Sequence, residues 1–236
     1  MDGSTEPMVC FIGHPIAGNP SQLAMERALR SVGLDWRVLS LDVAPADIVA
    51  AVEGLRVCGF RGLLIDPTAQ PATLEDDFYF YRDGQWTGSV LRDEVLANWL
   101  VAGDSANLAD DATHEQAATN PLGSTTPLGF IGPPRPGLSN LLAASSDPVI
   151  VVTAEPPDWS EALDQLDIDP EGPLRMVIDD VGLHPGLLAE RFPKAERIML
   201  REQLLGALVL RAAELWTNQR FAPEVIEEAL EEYFSV

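Results

Sequence analysis

Apolar positions along this chain come in short blocks that alternate between two periods. Met8 to Ile12 is a continuous apolar run closed by Gly13-His14-Pro15, the pattern of a buried parallel strand entering a loop. Beyond Ser21, residues Leu23, Ala28, Leu29 and Val32 fall at helical spacing, and Gly33 ends the pattern. Trp36 to Leu41 then reads as a strand, Asp47 to Leu55 as a helix opened by Pro45, and Gly62 to Ile65 as a third strand ending at Asp66-Pro67. Three strands separated by two helices predict a mainly parallel sheet covered on both faces. Phe78 to Tyr81 and Trp86 to Leu91 flank Arg82-Asp83-Gly84-Gln85, where Asp-Gly signals a hairpin, and a helix from Glu94 to Val101 follows.

Residues 102–127 are rich in Ala, Asp, Thr, Asn and Gly without an apolar period, which predicts a linker or long loop. The βα rhythm resumes with strands at Leu128 to Ile131, Val149 to Thr153 and Met176 to Ile178, and helices at Leu138 to Ala144 and Ser160 to Leu166. The last third is helical. Arg201 to Thr217 places Leu204, Leu205, Leu208, Leu215 and Trp216 on one broad face, and Pro223 opens an amphipathic helix through Phe234. The βα alternation on either side of the linker makes the fold class α/β with two domains.

Charge narrows the functions this body can carry. The chain has 37 acidic and 15 basic residues, a net charge of -22. Nucleic acid is not an expected partner, because phosphate neutralisation needs clustered Lys and Arg. Pairs such as Glu227-Glu228 and Glu231-Glu232 read as a solvated face. Cys10 and Cys58 lie in apolar stretches without metal-ligand spacing and read as small buried hydrophobes. His14, His114 and His184 are scattered, with no pattern for zinc or a hydrolase triad, so no metal is expected. No run of about 18 apolar residues occurs and the start, Met1 to Glu6, is acidic, so a cytoplasmic protein without a membrane segment is expected.

Five landmarks occur in order: Gly13-His14-Pro15-Ile16, Gly33-Leu34-Asp35-Trp36, Gly59-Phe60-Arg61-Gly62, Met199-Leu200-Arg201-Glu202-Gln203 and Glu214-Leu215-Trp216-Thr217. On these the chain resembles the shikimate dehydrogenase family over most of residues 8–101 and 176–235. The resemblance implies a first, substrate-type domain of residues 1–101 that binds shikimate, a second, reduced Rossmann-like domain over 128–200 of the kind that binds NADP, and final helices over 201–236 that return to the first.

Residue by residue, the resemblance is broken where the chemistry lies. The family holds the shikimate carboxylate on two serines one residue apart; here Asn19-Pro20-Ser21 keeps the second, and Ser21 has an alternative as helix N-cap. Asn19 still has an amide to donate. The family's Asn-Val-Thr-x-Pro-x-Lys falls on Leu64 to Gln70, so Asp66 replaces the threonine and Gln70 the catalytic lysine. Its Asn-Thr-Asp falls on Val90-Leu91-Arg92, putting Arg92 at the catalytic aspartate, or Asp93 with a one-residue slip; Asp93 is alternatively a helix cap. An upstream family asparagine falls on Asp77, and the late glutamine survives as Gln203. The candidates for a substrate site are thus Asn19, Ser21, Asp66, Gln70, Asp77, Asp93 and Gln203.

The nucleotide site departs further. A dinucleotide loop needs glycines and backbone donors at a helix N-terminus. The strand ending at Ile131 is followed by Gly132-Pro133-Pro134-Arg135-Pro136-Gly137, where three prolines remove three N–H groups. Thr153-Ala154-Glu155-Pro156 offers no cation for a 2′-phosphate. Gly132, Arg135 and Gly137 are what remains of the loop, and no cofactor is expected. Two readings follow. One is a non-catalytic binding or regulatory protein that takes a small polar metabolite in an interdomain cleft. The other is an NADP-dependent shikimate or quinate dehydrogenase with rearranged groups such as Asp66, Asp77 or Asp93.

Overall fold

The alternation of strand and helix is realised in the computed structural model, which describes residues 6–67, 69–71, 73–102, 128–131, 149–152, 176–179, 185–196 and 198–235. The chain divides into two compact units, one of Met1–Val95 with Leu205–Val236 and one of Leu96–Leu204.

In the first unit, β1 (Met8–Gly13), α1 (Ser21–Ser31), β2 (Arg37–Asp42), α2 (Ile48–Val57), β3 (Gly62–Ile65), β4 (Phe78–Arg82), β5 (Gln85–Ser89) and the first turn of α3 (Leu91–Ala102) follow in sequence. A single 3₁₀ turn at Pro45–Asp47 leads into α2. The sheet order is β2-β1-β3-β4-β5. β1 pairs in parallel with β2 and β3, and β4 pairs antiparallel with β3 and β5. Asp83 and Gly84 turn the β4–β5 hairpin with φ of 53° and 78°, the left-handed pair that a two-residue hairpin turn requires.

Alternate strand residues serve opposite faces. Cys10, Ile12, Leu63, Ile65 and Tyr79 pack with Ile48, Leu55 and Phe60 under α2. On the other face, Trp216 stacks on Phe78 at 5.4 Å and meets Phe11 edge-on at 5.9 Å. Trp216 belongs to the long helix Arg201–Thr217, and a last helix, Pro223–Phe234, buries Ile226, Ala229 and Leu230. α1 packs on that last helix, with Ala24, Met25, Ala28 and Leu29 buried, and Arg27 Nη2 reaches Glu232 Oε2 at 2.8 Å.

The second unit contains β6 (Leu128–Ile131), β7 (Val149–Val152), β8 (Met176–Asp179), α4 (Pro185–Arg191) and β9 (Ile198–Met199) among its described residues. Its sheet runs β7-β6-β8-β9, with every pairing parallel. The helices Arg201–Thr217 and Pro223–Phe234 are α5 and α6 in chain order.

Several sequence expectations are corrected. α3 begins at Leu91, so Leu91 is helical rather than the end of a strand. α4 and β9 had no periodic signal, being seven and two residues long. Cys10 is buried as expected, but Cys58 is exposed, because it follows α2 on a solvent side where Val57 is itself 71% exposed. The expected helices at 138–144 and 160–166 and the linker over 103–127 lie outside the described residues.

Candidate functional site

From β1 the chain moves outward to β2, then returns to the other side of β1 as β3. Loops leaving the carboxyl ends of β1 and β3 therefore part in opposite directions, which makes this a topological switch point, the usual place for a ligand in open α/β sheets. Asn19 comes from the first loop and Asp66 from the end of the other strand. Asn19 Nδ2 donates to Asp66 Oδ2 at 3.0 Å, and Asn19 Oδ1 accepts the Ser21 N–H at 2.9 Å. Asp66 is also fixed through its backbone, its N–H donating to Ile12 O at 2.7 Å and its carbonyl accepting the Ala69 N–H at 3.0 Å. A β-carbon on Gly13 would be 3.4 Å from that of Asp66, so the exit of β1 lies close against this carboxylate.

Ser21 is 1% exposed and is the first residue of α1, which corrects its expected role as N-cap. Pro20, at the cap position, has no side-chain acceptor, and Asn19 serves the Ser21 N–H from one residue further out. Gln70 turns its amide into its own loop, with Nε2 donating to Leu74 O at 2.9 Å and to Glu75 O at 3.1 Å.

Asp77 is 2% exposed and accepts the N–H groups of Leu91 at 2.7 Å and Arg92 at 3.2 Å. It thus caps α3, where a carboxylate satisfies orphan donors and favours the positive end of the helix. Asp93, expected as a possible cap, instead lies within the first turn of α3. Arg92 is 7% exposed. Burial, with Glu75 adjacent, raises Asp76 above the usual carboxylate range. Tyr79 is pushed up to about 12 by burial, reinforced by Asp76 and Asp77.

Gln203 lies in the second unit and is exposed; its Oε1 accepts the Leu200 N–H at 3.0 Å, the reach-back half of a capping box at the start of α5. Gly132, Arg135, Gly137, the intervening prolines and Glu155 lie outside the described residues. Asn19, Ser21 and Asp66 are therefore brought together, while Gln70, Asp77 and Gln203 hold main chain in place.

One pair escaped the sequence reading. His14 Nδ1 is 2.7 Å from Asp42 Oδ1, at the ends of β1 and β2, with both side chains about half exposed at 49% and 51%. Both residues stand directly after strand-like runs, which was the available signal. Among the described residues no group of three or more His, Cys, Asp or Glu is arranged to hold a metal ion, and no helix is long and apolar enough to cross a membrane. Gln70 carries an amide, which has no titratable proton.

No family model matches the chain. A curated relative, the NADP-dependent shikimate dehydrogenase of Methanothermobacter thermautotrophicus, is 37% identical over 71 residues, covering 29% of this chain and 25% of that protein. The match thus spans a quarter of the relative's length. The crystal structure of shikimate 5-dehydrogenase from Thermus thermophilus in complex with shikimate superimposes with a TM-score of 0.64 at 17% identity, covering 98% of this chain and 100% of the other. A ligand-free 5-ketofructose reductase of Gluconobacter gives 0.65 at 14% identity, covering 98% and 99%. The chain is thus similar to the shikimate dehydrogenases in that stretch of sequence and shares their α/β fold.

Proposed function

We propose that the chain is a non-catalytic small-molecule-binding or regulatory protein on a shikimate dehydrogenase scaffold, with its ligand at the switch point of the first unit. The observation that carries this reading is Gln70. At the position matched to the catalytic lysine it carries an amide, and that amide is spent on the carbonyls of Leu74 and Glu75. Loss of a positioned acid or base costs about 10²–10⁴-fold in rate. Arg92 at the matched aspartate removes the second member.

NADP does not fit the residues after β6. Three of the six residues from Gly132 to Gly137 are prolines with no N–H for a pyrophosphate, and Glu155 would set a negative charge near a 2′-phosphate. No step is therefore assigned to it. Composition supports work in solution, in the cytoplasm.

Incubation of the purified protein with shikimate or quinate and NADP or NAD tests the reading through the absorbance of the reduced cofactor. No increase over the no-enzyme background is expected, and turnover overturns the proposal. A second reading, an oxidoreductase with rearranged groups, is favoured by the Asn19–Asp66 pair at the switch point and by the existence of a 5-ketofructose reductase on this fold. The reverse assay, with ketose substrates and NADPH or NADH as hydride donor and loss of the reduced cofactor's absorbance as readout, decides between them.

A further inference from the structure

Away from the switch point, by the amino ends of β1 and β2, a cavity of about 590 Å³ opens between the last turn of α1 and the edge of the sheet. Small-ligand sites run from about 300 to 1,000 Å³. The floor is apolar: Leu29 and Val38 are 2% and 5% exposed, and Leu34 and Trp36 are partly buried. Charged groups of both signs line the rest. Two of them satisfy each other, Arg37 Nε donating to Glu6 Oε2. Glu26 Oε1 accepts from Gln22 Nε2 at 2.9 Å, within α1. Arg30, one helical turn further on, makes no hydrogen bond or ion pair among the described residues. Asp35 lies in the field of Arg37 without a hydrogen bond of its own among the described residues.

The charge pattern decides what fits. A simple anion meets one free guanidinium among the carboxylates of Glu6, Glu26 and Asp35, inside the field of a chain with net charge -22. A simple cation suits those carboxylates and the negative end of α1, but sets a like charge beside Arg30. A zwitterion serves both signs, its carboxylate on the two-pronged guanidinium and its ammonium on Glu26 and Asp35.

We propose that this cavity binds a free α-amino acid with an apolar side chain, which lies against Leu29, Leu34, Trp36 and Val38. Arg30 is the residue that tells the amino acid from an amine. The site is separate from the one at the switch point, since neither Asn19, Ser21 nor Asp66 lines it, and it does not depend on the non-catalytic reading.

Calorimetric titration of the full chain with L-leucine, isocaproate and isoamylamine tests this, since the two analogues keep the leucine side chain and lose its ammonium or its carboxylate. Leucine is expected to bind at least about tenfold more tightly than either, a difference of about 1.4 kcal/mol. Arg30→Gln should bring leucine down to the level of the amine and leave the amine no weaker. Equal or tighter binding of either analogue by the unaltered protein overturns the proposal. So does the absence of leucine binding, or a leucine affinity indifferent to Arg30→Gln. Should that variant fail to fold, the comparison of the three ligands decides alone. Turnover of shikimate would sink the non-catalytic reading and leave the amino-acid site standing, whereas a leucine affinity no better than that of its analogues, without turnover, would do the reverse.

Discussion

A β-carbon on Gly62 would stand 1.9 Å from Nε1 of Trp216, so the indole fills the space that any other residue at position 62 would occupy. The ring is held there by stacking on Phe78 and by its N–H, which donates to Tyr79 O at 3.0 Å. The sheet and α5 are thereby keyed together at one point. Gly62→Ala is expected to destabilise the protein by ~1–3 kcal/mol, the usual range for overpacking a well-filled core. Urea unfolding followed by circular dichroism measures it; a loss under a few tenths of a kcal/mol would mean that the ring moves aside freely.

Asp77 is expected to matter for stability rather than for ligand affinity. Its two oxygens serve two buried N–H groups, so Asp77→Ala should cost ~1–2 kcal/mol, typical of a lost cap. Asp77→Asn keeps one acceptor and should cost less. Denaturant midpoints for the pair check the order, and equal losses would speak against the cap.

The thiols should react at very different rates. Cys58 is exposed and Cys10 buried, so an aromatic disulfide reagent should titrate one thiol quickly in the native protein and both after unfolding. Two fast thiols would contradict this burial.

Alkaline pH should weaken the fold. Burial raises Cys10 from 9.0 to about 12, and burial with Asp76 and Asp77 raises Tyr79 from 10.0 to about 12. Each group holds its proton more strongly when folded than when unfolded. The associated stability is present below pH 9 and is lost as pH rises through the folded values near 12. Melting temperatures from pH 8 to 11 should fall, and Cys10→Ala should flatten part of the slope; an identical slope would remove Cys10 as a cause.

Restoring the matched pair with Gln70→Lys and Arg92→Asp is expected to yield no shikimate oxidation, because the proline-bearing segment after β6 is unchanged. The double variant should also be less stable, since it releases the carbonyls of Leu74 and Glu75 and changes a side chain at the buried position of Arg92. Reduction of NADP above background by this variant would refute the expectation.

Local periodicity carried much of the fold. The range Arg201–Thr217 and the start at Pro223 were readable because long amphipathic helices repeat their signal over several turns. The start of α3 was not, since its cap is Asp77, 14 residues before Leu91, and a partner supplied from another element leaves no periodic trace. Asn19 and Asp66 were legible as unusual residues, but their hydrogen bond spans 47 positions and exists only because of the strand order β2-β1-β3. Cys58 shows the converse: an apolar sequence neighbourhood did not carry burial with it.

The seating of Trp216 on the sheet has a consequence for the timing of synthesis. Val95 and Leu205 bracket a stretch of 109 residues, 96–204, between the two parts of the first unit. At translation rates of about 5–20 residues per second, the nascent sheet waits roughly 5–20 s for its cover. Through that interval Phe11 and Phe78 have no indole to shield them, so the newborn chain offers ribosome-associated chaperones an apolar surface that the finished protein conceals.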